Sequence, residues 1–164
     1  MGNEPPRKPE ILVIGIGNAY RSDDAAGLIA ARRVREQMSE RGSVIEHTGD
    51  GAALMELWKD ADLVIVIDAV RSGAAPGTVS RFDAAPRPLP ASMFRDSTHA
   101  FGLAEAVELS RALKQLPRRL IVYGVEAKNF EAGTNLSPAI EFALQAVVER
   151  VLQELSQNVP LAET

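Results

Sequence analysis

The sequence predicts a three-layer αβα sandwich whose centre is a mixed, mostly parallel five-stranded sheet with one antiparallel strand. Three observations carry this reading. The runs at 11–14, 63–67 and 120–123 are continuous and apolar, rich in Ile, Val and Leu, as strands covered on both faces must be. Between the strands lie segments whose apolar residues recur at helical spacing. Finally, the stretch from Asp68 to Thr78 contains no helix and is shorter than the dozen or more residues a parallel crossover needs, so the strand at 78–82 must run back.

Taken in order, the first strand passes a turn holding Gly15 and Gly17 and reaches Asp23 and Asp24 just ahead of a helix. That helix is expected over 25–41, with Ala26, Ile29, Ala30, Val34 and Met38 inward, several Arg and Glu outward, and Gly42 as its stop. The basic cluster on it reads first as a solvated face. A short strand at 44–47, a Thr-Gly-Asp-Gly turn at 48–51 and a helix over 52–59 follow. The central strand at 63–67 is closed by Asp68. Residues 83–98, with prolines at 86, 88 and 90, read as an extended loop; 99–114 as a helix; 124–137 as a long loop; and Pro138 opens the closing helix.

Composition bounds the function. A chain of 164 residues, 46% hydrophobic and 24% charged, fits one domain, here expected over 11–157 between flexible tails at 1–10 and 158–164. Eighteen basic residues against 22 acidic ones give a net charge of -4, which argues against nucleic acid or an anionic membrane as partner. There is no cysteine, so no disulfide, thiolate metal site or cysteine nucleophile exists, and any metal must be held by oxygen and imidazole. The polar, proline-rich N-terminus lacks the apolar stretch of a secretory signal, and no run approaches the ~20 apolar residues of a membrane span. A cytoplasmic monomer is the expectation.

The first turn is neither of the familiar phosphate binders. A dinucleotide fingerprint would need glycine where Tyr20 stands, and no Gly-Lys-Ser/Thr follows for a P-loop. Asp23 reads as a helix cap, the usual role of a carboxylate ahead of a helix. Asp24, by contrast, sits where the first strand delivers it, and Asp68 where the third does, both at the carboxyl edge of the sheet where ligands bind in open α/β folds. The helix beginning near His99 must descend to feed the last parallel strand, so its imidazole belongs to the same edge. Two acids and one histidine thus converge from three distant segments, an oxygen and nitrogen set suited to zinc, nickel or manganese.

The run G-I-G-N at 15–18, Ser22-Asp23-Asp24 and Gly27, then V-I-D-A-V at 66–70, P-G-T at 76–78, S-T-H-A-F-G-L at 97–103 and L-S-P at 136–138 resemble, in order and spacing, the successive blocks of the hydrogenase maturation proteases. These are endopeptidases that trim the large subunit of nickel-iron hydrogenases. The resemblance implies that Asp24, Asp68 and His99 are the metal-contacting and catalytic set, that the partner is the large-subunit precursor, and that nickel carried by this substrate is what they recognise. In one block the chain departs from the pattern: many relatives have Asp-Gly-Gly after the second strand, whereas this chain reads Gly49-Asp50-Gly51. Asp50 is therefore a further candidate whose plain reading is a turn residue. The same three residues would also suit a resident metal that polarises the scissile carbonyl or activates water, or, without metal, an aspartic-type general base. Two rival classes share some features: a peptidyl-tRNA hydrolase, which opens with a similar G-x-G-N turn but for which the histidine of the following segment and a basic balance are missing here, and a non-catalytic metal-dependent assembly protein.

Overall fold

The computed structural model describes residues 2, 10–39, 42–94 and 99–158. Almost all of both expected tails lies outside these residues. Five strands, β1 (Ile11–Ile16), β2 (Ser43–His47), β3 (Leu63–Val70), β4 (Val79–Asp83) and β5 (Arg119–Glu126), form one sheet in the order β2-β1-β3-β5-β4. All neighbours are parallel except β4, which pairs antiparallel with β5. The reversed strand is thus where its short, helix-free approach required, although its partner is β5 and not β3. The 71–78 connection passes over the end of β5, held by backbone bonds between Gly77 and Thr78 and Glu126 of 2.8 and 2.9 Å.

Alternation along each central strand divides the core in two. Ile11, Val13, Leu63, Ile65, Ile67, Ile121 and Tyr123 face one side, where α1 (Ala26–Gln37) and α4 (Pro138–Asn158) cover them with Ala30, Val34, Ile140, Leu144, Val147 and Val151. Leu12, Ile14, Val64, Val66, Leu120 and Val122 face the other, under α2 (Gly51–Trp58) and α3 (Leu103–Ala112). Each fully buried aliphatic side chain contributes about 1.5–3 kcal/mol, so the two cores together offset the ordering of the chain. Across the second layer the Trp58 indole N–H donates to Ser110 Oγ at 3.1 Å, satisfying its polar atom within the core and tying α2 to α3.

Several boundaries differ from the sequence expectation, each for a local reason. The first helix ends at Gln37, because Met38 turns extended (φ -72, ψ 135), well before Gly42. The third begins only at Leu103, where the Gly102 N–H finds the Glu105 carboxylate, so His99 precedes the helix and does not start it. Of the expected 83–98 loop, 95–98 lie outside the described residues, and 83–94 is less open than its prolines suggest: a 3-10 turn at Ala91–Phe94 forms because Leu89 and Phe94 bury against the α2/α3 core. Most relevant to function, β3 does not end at Asp68 but runs on to Val70. Asp68 stands inside the strand in register with Gly124 of β5, where a Cβ would press on Val70 at 3.0 Å, so glycine there leaves room for the end of β3. No helix among the described residues is long and apolar enough to cross a membrane.

Candidate active site

The chain leaves β1 toward β2 on one side and returns to β3 on the other, so a crevice opens between β1 and β3 at their carboxyl ends. β1 pairs with β3 only as far as Gly15 opposite Ile67, one residue short of Asp68. Into this gap fits α1. A Cβ on Gly27 would lie 2.3 Å from the carbonyl oxygens of both Ile16 and Ile67, and one on Gly17 only 2.0 Å from the Asp24 carbonyl, so glycine at these two positions lets the turn and helix close over the crevice.

A cavity of about 420 Å³ occupies the crevice, and Asp24, Asp68 and His99 all line it, together with Asn18, Tyr20, Arg21, Thr48, Met93 and Phe130. The three segments singled out in the sequence therefore meet at one place. Burial pushes the Asp68 carboxyl well above the usual carboxylate range, and the Asp24 charge adds to that push. Burial also raises Asp24, against the opposing pull of Arg21, whose Nη1 is 4.0 Å from Asp24 Oδ2, and of a backbone hydrogen bond from Asn18. Two carboxyls held above their ordinary range are suited to exchanging protons or, with a nitrogen donor alongside, to sharing a cation. Among the described residues no three His, Cys, Asp or Glu side chains stand close enough together to form a metal cage unaided.

The turn that presents Asp24 is braced from behind. Ser22 adopts a left-handed backbone (φ 52), a conformation costing on the order of 1–3 kcal/mol in a non-glycine residue. It is held there by its N–H donating to the Gly133 carbonyl at 2.9 Å and its hydroxyl to the Glu131 carbonyl at 2.8 Å. Asp23, fully buried, is not a cap: the helix start it was expected to serve has no side-chain cap hydrogen bond. Its Oδ2 instead accepts from Lys128 N–H, Asn129 N–H and Ser137 Oγ–H, each at 2.9 Å, and its Oδ1 from Ser137 N–H at 2.7 Å. Burial alone would raise this carboxyl; the four hydrogen bonds prevail and hold it below the usual range.

Asp50 is the N-cap of α2, its carboxylate accepting from Ala53 N–H at 3.2 Å, and it is not part of the cavity lining. His47 sits beside the site. Its Nδ1 accepts from Gly49 N–H at 2.9 Å, and burial lowers its pKa, with Asp50 opposing and His99 reinforcing the shift. Glu126, buried at the end of β5, receives the Ser72 N–H and hydroxyl and the Gly73 N–H, so it pins the loop after β3. Arg21, Arg71 and Phe130 received no role from the sequence, yet both guanidiniums lie over the Phe130 ring, at 5.9 and 4.6 Å from its centre. The available signal was a lone aromatic residue in the polar 124–137 loop.

Comparison with known proteins completes the picture. Residues 29–154 match the family described as hydrogenase maturation protease. The chain is 31% identical over 159 residues to the hydrogenase 2 maturation protease of Escherichia coli K12, spanning 90% of this chain and 92% of that one. It is 32% identical over 154 residues to the hydrogenase expression/formation protein HupD of Thiocapsa roseopersicina, spanning 91% and 69%. Among solved structures, an endopeptidase from Escherichia coli superposes with a TM-score of 0.79 at 26% identity, covering 92% of this chain and 94% of that one. The Escherichia coli hydrogenase maturating endopeptidase HybD shares the fold at a TM-score of 0.77, with 24% identity over 90% and 93% of the two chains.

Proposed function

The chain belongs to the hydrogenase maturation protease family, a family of endopeptidases and hence hydrolases, and from that premise we propose that it removes the C-terminal extension of a nickel-iron hydrogenase large-subunit precursor in the cytoplasm after nickel has been inserted. The observation that carries the reading is the meeting of Asp24, Asp68 and His99 in one cavity at the point where the strand order reverses. Their donor chemistry fits a divalent ion. Two carboxylates and an imidazole lining one cavity, with no closed cage of three among the described residues, suit an ion that arrives already held by the substrate, so the nickel is cargo to be inspected.

In this reading Asp24 and Asp68 hold the ion by charge and His99 adds a nitrogen donor, fixing the substrate so that the scissile bond lies against the cavity wall. Proximity of this kind lowers the barrier by removing translational and rotational freedom before reaction. A carboxyl in the raised state of Asp68 also suits proton exchange with an attacking water. The test mixes the purified chain with nickel-loaded and nickel-free precursor and follows loss of the C-terminal peptide by mass. Cleavage of the loaded form alone is expected; equal cleavage of both forms rules out inspection through nickel.

A further inference from the structure

In the cavity lining the Arg21 guanidinium approaches the Asp24 carboxylate. Arg21 Nη1 lies 4.0 Å from Asp24 Oδ2, too far for a hydrogen bond, while the Arg21 side chain keeps 32% of its exposure against 16% for Asp24. The Arg21 backbone is fixed: it bridges to Gly133, and on either side Gly133 N–H donates to the Tyr20 carbonyl and Ser22 N–H to the Gly133 carbonyl, both at 2.9 Å. The partly exposed guanidinium is thus carried on an anchored backbone and approaches both the Asp24 carboxylate and the Phe130 ring, whose centre is 5.9 Å away.

We propose that Arg21 is a resident counter-ion and specificity determinant, occupying beside Asp24 the electrostatic position that a substrate-borne divalent cation must take, and swinging toward Phe130 when that cation arrives. The inference rests on the reading of Asp24 and Asp68 as cation-contacting residues. An arginine cannot lose its proton in a protein, so it leaves a carboxylate only by displacement. A single positive charge at the edge of one carboxylate is a weak competitor against a doubly charged ion that engages both, but a sufficient one against a peptide without a metal. The aromatic face gives the displaced guanidinium a second favourable partner, the kind of contact Arg71 already makes with the same ring.

Calorimetric titration of the full chain with zinc chloride tests this without any substrate. Arg21→Gln and Arg21→Met are expected to bind zinc about three- to fivefold more tightly than the parent, the scale of a partly exposed ion pair. Arg21→Lys, which keeps the charge, is expected to stay within about twofold, and Asp68→Asn to weaken binding at least about tenfold. Circular dichroism checks that each variant is folded, and the Met variant guards against a Gln amide that hydrogen-bonds Asp24. Binding by the parent that neither neutral variant tightens overturns the counter-ion role alone, as does equal tightening by Lys. Absence of zinc binding in every form overturns this inference alone, since the reading above has the ion arrive already held by the substrate; binding that Asp68→Asn leaves unchanged overturns the cation-contacting reading and this inference with it.

Discussion

Asp23 and Asp24 are consecutive residues of one 3-10 turn, and their surroundings are opposite. Asp23 points to the rear, where it is fully buried, receives four hydrogen bonds from the 128–137 region and is held below the usual carboxylate range. Asp24 points into the cavity, where burial raises it, Arg21 stands at the limit of an ion pair, and Asp68 carries charge of the same sign. A saturated carboxylate holds the structure together, whereas an under-compensated one is available for chemistry. Successive residues of a 3-10 turn point about 120° apart, so the two acids diverge.

The largest effect that could break this comparison is on cleavage. Asp68→Asn keeps the shape and removes the charge, and changes merely around a metal contact cost 10- to 100-fold, so cleavage of loaded precursor should fall by at least about that factor. Its melting temperature should hold or rise, since the buried carboxyl it replaces is disfavoured in its charged form. A quantitative mass assay and a thermal melt on the same preparation read both. A fall in melting temperature with unchanged cleavage would place Asp68 with Asp23.

On the rear side, Asp23→Asn sets an amide NH2 against backbone N–H donors. The cost should be about 2–4 kcal/mol, because the replaced bonds are charge-assisted and the donors are left buried; urea unfolding measures it. Acid should separate the two acids in the parent protein as well. Asp23 has a lowered folded pKa, so its stabilisation is complete above about pH 4 and is lost as pH falls through the folded value. Asp68 has a raised folded pKa, so its penalty exists above that value and is relieved as pH falls toward about 4. The depressed His47 works against this relief, since below about pH 6.5 the unfolded chain takes up its proton first. The stability of Asp68→Asn minus that of the parent cancels the His47 and Asp23 contributions and should shrink as pH falls from 7 to about 4. A flat difference would show that Asp68 carries no penalty.

The smallest effect sharpens the contrast from outside the site. Asp50 caps α2 and does not line the cavity, so Asp50→Ala should cost about 1 kcal/mol in thermal or urea unfolding with cleavage unaltered.

Much of this arrangement could be read from the chain. The apolar runs of β1, β3 and β5, the short approach to β4 and the placement of Asp24, Asp68 and His99 at one edge follow from strand periodicity and connection length, which are local quantities. The role of Asp23 was not legible, because its partners Lys128, Asn129 and Ser137 lie more than a hundred positions away and three of its four donors are a backbone N–H, which any residue could supply. The continuation of β3 past Asp68 was hidden for a similar reason: it depends on pairing with Gly124, Val125 and Glu126 of β5, more than fifty positions away. Arg21 received no role from the sequence, because its approach to 4.0 Å from Asp24 is made by the fold of the turn. What single-sequence patterns miss here is how remote backbone satisfies a polar side chain.

The most direct test of the division between the two acids is a matched measurement on Asp23→Asn and Asp24→Asn: melting temperature, and the rate of cleavage of nickel-loaded precursor at a temperature where both are folded. The expected result is crossed, with Asp23→Asn melting several degrees lower while keeping most of its cleavage rate, and Asp24→Asn melting at or above the parent while losing cleavage by tenfold or more. Loss of cleavage in Asp23→Asn with a parental melt, or a large drop in melting temperature for Asp24→Asn with cleavage intact, would contradict it.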